Sequence, residues 1–243
     1  MLSNARTECS NAAQRQRGLS LVELMVGIAV GLFVVAGASF VVSMQLGDNR
    51  RLLLETQVQQ DLRATADTIV KELRRAGSWR SAQDQVWQPP GGFVRNPRTT
   101  ITVADGSQAA GYRSIEFEYE LRTAGGTQVG PWGFMLDGGV IRSRLGAAGW
   151  QDLTDGNAMI VTDFRIRPLA PIVHAVPCPT GCGGNPADES CWPTLIVRGY
   201  SVEIDARAAS DANVQRSIRS EVRLRNEQLA FDPALPVNRA CPS

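Results

Sequence analysis

Histidine is almost absent: His174 is the only one in 243 residues. That excludes a histidine-rich zinc site and any HExxH arrangement. A Ser-His-Asp or Cys-His centre would have to use His174, which lies in the stretch bracketed by Pro171 and Pro177. Neither a GxSxG elbow nor a GxxxxGK(S/T) phosphate loop accompanies it. His174 is therefore read as an ordinary loop histidine, and no enzyme is expected. Net charge is also lacking, with 25 basic residues against 24 acidic ones. A nucleic-acid binder concentrates basic surface, so no nucleic-acid partner is expected. The acidic residues form no ordered series of calcium ligands, so neither a metal nor any other cofactor is assigned. Internal repeats and low-complexity tracts are missing as well.

Cysteine is scarce and unevenly placed. Cys9 stands near the start, and Cys178, Cys182, Cys191 and Cys241 come late. An even number in a segment expected to be exported favours two disulfides in an oxidising compartment. A four-thiolate zinc site on the same residues lacks the usual paired CxxC spacing, and that compartment opposes thiolate ligation. Four cysteines allow three pairings, and spacing does not choose among them. The pairing expected here is Cys182 with Cys191 and Cys178 with Cys241, stapling the Pro- and Gly-rich loop 168–193 and tethering the tail. Such a loop is also a candidate binding surface.

The longest stretch without formal charge runs from Leu24 to Leu46, 23 residues. As a helix it spans a hydrocarbon core about 30 Å thick. Residues 1–18 ahead of it carry Arg6, Arg15 and Arg17 against Glu8 alone. Basic residues ahead of the run and a large domain behind it predict a cytoplasmic N-terminus and an external C-terminus. A conventional secretory signal is excluded, because it wants a shorter apolar run followed by its cleavage site. Lipoprotein processing at Cys9 is excluded too, since Arg6-Thr7-Glu8 precede it. A plain single-pass anchor stays open as an alternative, its weakness being Glu23, a carboxylate at the membrane-entering end for which an anchor has no use.

Residues 17–24, Arg-Gly-Leu-Ser-Leu-Val-Glu-Leu, closely resemble the class III signal of type IV prepilins and type II secretion pseudopilins. The resemblance implies cleavage by prepilin peptidase after Gly18 and methylation of the new terminal amine on Leu19. It also implies that Glu23 attracts the terminal amine of a neighbouring subunit, each charge lowering the other's desolvation cost. The expected partners are prepilin peptidase, other minor and major pilins, an assembly platform in the inner membrane, and inner-membrane lipid before assembly. The expected location is the inner membrane, single-pass with a periplasmic domain, and then the pilus. Two departures stand out: leucine follows the cut where many major pilins have phenylalanine, and the apolar run lacks proline. Gly27, Gly31 and Gly37 supply either weak points in the helix or close-packing positions.

Beyond the apolar run, Leu54, Val58, Leu62, Ile69 and Leu73 continue as one helical stripe. Gly77 and Ser78 stop the helix, giving a length of about 87 Å from Leu19 to Ala76 at 1.5 Å per residue. A coiled-coil seam needs a longer apolar repeat than this. After Trp79 the period becomes two. Residues 115–121 alternate apolar and acidic, 132–145 read as a hairpin around Asp137-Gly138-Gly139, and 159–168, 195–206 and 217–225 read as further strands. Residues 88–98 and 168–193 read as loops. The fold class is α+β: a long N-terminal helix, membrane-spanning then amphipathic, packed on an antiparallel sheet as in pilins. The expected divisions are a leader at 1–18, a transmembrane and filament-core helix at 19–47, its amphipathic continuation at 48–78, and an extracytoplasmic β-domain at 79–243. The rival, an independent β-sandwich on a stalk, leaves the helical stripe without a partner.

Residues 71–77, 161–166 and 222–226 resemble, more loosely, minor pilins of the PilW type, which implies a subunit near the filament tip that helps start assembly. A type II secretion pseudopilin shares the leader, Glu23 and the helix, and stays open as the alternative. A membrane-anchored periplasmic enzyme with a prepilin-like leader is the third reading.

Overall fold

The structure, a computed structural model, describes residues 18, 20–82, 95–226 and 228–230. The chain divides into two compact units, Met1–Arg50 and Arg51–Ser243. The α-helix described, α1 (Leu21–Leu73), has residues in both; two 3-10 turns, Gly146–Ala148 and Cys182–Gly184, belong to the second.

Within the first unit every described helical side chain is exposed, from Leu21 at 74% through Phe33 at 83% to Leu46 at 64%. Greasy residues on all sides leave no face that one domain could cover, which is the composition of a segment surrounded by lipid or other helices. By length and composition this helix is apolar enough to cross a membrane.

Within the second unit, α1 becomes one-sided. Val58, Leu62, Ala66, Ile69 and Leu73 are buried at helical spacing, while Arg63, Asp67 and Lys71 are exposed. The stripe lies in one core with the inner face of an antiparallel sheet, including Ile115, Phe117, Phe134, Phe164, Ile166, Val202 and Ile204.

Thirteen strands are described: β1 (Ile101–Ser107), β2 (Gly111–Phe117), β3 (Glu120–Thr123), β4 (Gly126–Val129), β5 (Trp132–Asp137), β6 (Val140–Leu145), β7 (Trp150–Asp152), β8 (Met159–Pro168), β9 (Ile172–Ala175), β10 (Thr194–Val197), β11 (Gly199–Ala208), β12 (Gln215–Arg223) and β13 (Gln228–Ala230). The main sheet runs β12-β11-β8-β2-β5-β6-β7, with β1 also on β2. Smaller sheets are β13-β10-β9 and the hairpin β3-β4. The β5–β6 turn is Gly138-Gly139, both at positive φ, as a tight two-residue hairpin requires.

One irregularity lets β8 fit the core. Asp163 faces Asp205 and Val161 faces Ala206, so Thr162 is an extra residue, and its hydroxyl donates to the Asp205 carbonyl at 3.1 Å. Met159 and Val161 lie on one parity, Phe164 and Ile166 on the other, yet all four are buried. The bulge shifts the alternation by one so that both halves serve the same face. The outer face carries paired charges instead: Arg165 reaches Asp163 and Asp205, and Arg167 reaches Glu203.

Regular helix ends at Leu73, earlier than Ala76, because the last turn tightens: Arg75 and Ala76 amides donate three residues back. Gly77 follows at φ +79°. The strand read over 115–121 is interrupted at Glu118 and Tyr119. Their neighbours there are the helix exit and a ring nitrogen: Gly77 donates to the Glu118 carbonyl, Glu120 donates to the Ser78 carbonyl, and Trp132 Nε1 donates to the Tyr119 carbonyl. The alternation of facing nevertheless persists, with Ile115, Phe117 and Tyr119 buried. The run 195–206 is likewise two strands in two sheets, β10 and β11, parted at Arg198. Loop 168–193 contains β9, a short exposed strand paired with β10.

Candidate functional site

Ser20 stands just before α1, and the Leu24 amide donates to its carbonyl at 3.0 Å. Glu23 lies in the first turn, three residues after Ser20, the spacing of a capping box, and a carboxylate there complements the helix dipole. Glu23 is exposed, in a turn whose other side chains are apolar. Gly18 is exposed, and a Cβ added there would meet nothing within 4 Å; the same holds at Gly27, Gly31 and Gly37. The chain's own fold therefore imposes no steric need for glycine at these places. Leu19 lies outside the described residues.

The cysteine-bearing loop is a separate feature. Cys182 and Cys191 form a disulfide across nine positions. Cys178 is also disulfide-bonded, while Cys241, its expected partner, lies outside the described residues, as does Cys9. The loop has internal order: Trp192 Nε1 donates to the Thr180 carbonyl at 3.0 Å, and the Ser190 amide holds the Asp188 carboxyl below its usual range. His174 sits on β9 opposite Leu195 and is exposed. No group of three or more His, Cys, Asp or Glu suited to a metal occurs among the described residues.

Where α1 leaves the sheet, four side chains fasten it. Tyr119 Oη donates to Glu72 at 2.6 Å, and its ring stacks on Trp132 at 4.7 Å. Burial, then the hydrogen bond to Glu72, pushes the Tyr119 phenol well above its ordinary value. Asn226 Nδ2 donates to the carbonyls of Arg75 and Ala76, and Asn96 Nδ2 to that of Gly77. At the start of the packed segment Glu55 bonds both Arg51 and Arg216 of β12. Sequence reasoning found neither tether. Glu72 and Tyr119 are 47 positions apart, Glu55 and Arg216 161 apart, and single-sequence patterns hold no signal for such pairs.

Comparison with known families separates the chain along the same lines. The prokaryotic N-terminal methylation motif matches residues 13–39, spanning Gly18, Leu19 and Glu23. The family described as prepilin peptidase-dependent protein B matches residues 51–224, so it starts where the second unit starts. No curated protein and no solved structure matches the chain. The apolar helix is what a prepilin anchored in the inner membrane carries. The chain is thus a pilin-like, non-enzymatic prepilin with an N-methylation motif, and it belongs to the prepilin peptidase-dependent protein B family.

Proposed function

We propose that this protein is a minor pilin of a type IV pilus, a structural subunit of PilW-like character that helps initiate assembly. Prepilin peptidase cuts after Gly18 and methylates Leu19. Glu23 then draws in the terminal amine of an adjacent subunit at the assembly platform, among other minor and major pilins. The observation that carries this reading is the methylation motif over 13–39 joined to a helical run, Leu24–Leu46, that is without formal charge and exposed on every side. Such a helix needs lipid before assembly and other helices after it. Cys178 pairs with Cys241 in this reading, tethering the tail beside the Cys182–Cys191 loop.

Mass spectrometry of sheared surface pili tests it. An N-methylated peptide beginning at Leu19 is expected in that fraction. A processed peptide confined to envelope fractions, while other minor pilins shear off normally, replaces the pilus with a type II secretion pseudopilus. A chain that keeps residues 1–18 beside an active peptidase overturns the reading.

A further inference from the structure

The part of α1 in the second unit is not held evenly. Val58, 1% exposed, begins an unbroken series of buried positions that ends at Leu73. Ahead of it, Arg51, Leu52, Leu53, Thr56 and Gln57 are all exposed. Only Leu54 and Glu55 are half-buried there, and Leu54 packs on the core from its margin.

Glu55 divides its two oxygens between two arginines. Oε1 accepts from Arg51 at 3.0 Å, a pair internal to the helix. Oε2 accepts from Arg216 on the edge strand β12. Arg216 pairs with Ala206, which is 2% exposed, so it projects from the core side of the sheet toward the helix. We propose that the Glu55–Arg216 ion pair is a latch that decides whether the two leading turns of the packed helix, Arg51–Gln57, lie on the sheet or lift from it.

The physical case is one of unequal holding. Among the helix's own side chains, lifting these turns exposes one partly buried leucine and no fully buried residue, so the helix's share of the apolar cost is small. The core from Val58 onward is untouched. Among the described residues the cross-element ion pair that remains is the half-screened Glu55–Arg216 pair, less exposed to solvent screening than a surface pair. A segment so held opens locally at far lower free energy than the domain unfolds. In a filament, a role that rests on the reading above, the lifted turns add Leu54 to the already exposed Leu52 and Leu53 as apolar surface for neighbouring helices while the domain keeps its core.

Hydrogen exchange read by mass spectrometry on the full chain in detergent tests the latch without any pilus, so its outcome is independent of the assembly role. Glu55→Gln and Arg216→Gln each remove the cross-element charge pair and keep similar length. Both are expected to speed exchange over residues 54–59 roughly fivefold, leaving 62–73 and β11 unchanged. Arg51→Gln removes only the helix-internal pair and is expected to stay within about twofold of the parent. Parent-like exchange at 54–59 in both Gln variants overturns the latch. So does an equal effect from Arg51→Gln, or acceleration spread equally across β11.

Discussion

Among single residues, Tyr119 carries the clearest titration consequence. Its phenol is buried, donates to Glu72 and has a folded pKa above the unfolded value of about 10. The folded state therefore binds that proton more tightly. The contribution to stability is complete below about pH 10 and is lost as pH rises beyond it toward the folded pKa. Thermal melts between pH 9 and 11.5 should show a fall in midpoint that Tyr119→Phe reduces; an identical fall in both would assign it to other groups. Two kinds of glycine separate at this scale as well. At Gly77, φ is +79° and an added Cβ would lie 3.3 Å from Asn226 Cβ. Gly77→Ala should cost about 1–2 kcal/mol in denaturant unfolding of the domain. Gly27→Ala and Gly31→Ala have open space and should leave that unfolding unchanged. If they impair assembly, their role lies in contact with other helices or in helix weakness, not in this chain's own packing.

At the scale of elements, β8 shows how much one residue decides. Deleting Thr162 removes the bulge and restores strict alternation, which turns either Met159 and Val161 or Phe164 and Ile166 away from the core. The deletion should abolish the cooperative unfolding transition, whereas Thr162→Ala, which removes only the bond to the Asp205 carbonyl, should cost about 1 kcal/mol. The stapled loop behaves differently, because its bond closes only a short segment. Cys182→Ser with Cys191→Ser should cost about 2–3 kcal/mol where the loop's order counts toward folding. Limited proteolysis should then cut between 178 and 193 while fragments carrying β8 and β11 persist. These elements also mark the limit of sequence reading. The stripe Val58 to Leu73 and the β5–β6 hairpin announce themselves by period and by Gly138-Gly139. The Thr162 bulge does not, since a parity change within a ten-residue strand resembles two unrelated short runs. β9 is unreadable because all four of its residues are exposed, so burial imposes no pattern. The division at Arg198 depends on which sheet each half joins, a long-range choice made by β9, β12 and β13 partners.

For the whole molecule the decisive residue is Glu23, because three accounts of it predict different behaviour in the same chain. As a snorkelling carboxylate it is dispensable. As the third position of a capping box begun by Ser20 it serves the helix, and glutamine serves nearly as well. As the charge that meets a neighbour's terminal amine it requires ionisation, since the pairing acts through mutual relief of desolvation in low dielectric. Glu23→Gln keeps the spacing and hydrogen-bonding capacity and discards only the charge. It should still be cleaved after Gly18, giving the mature mass, yet fall at least about tenfold in the sheared fraction, as should Glu23→Ala. Incorporation of Glu23→Gln at parental levels with loss of Glu23→Ala would leave capping as the role. Parental levels in both would return Glu23 to the membrane surface. Because the second unit has its own core from Val58 to Leu224, neither substitution should alter thermal unfolding of the β-domain, which separates an assembly defect from a folding one.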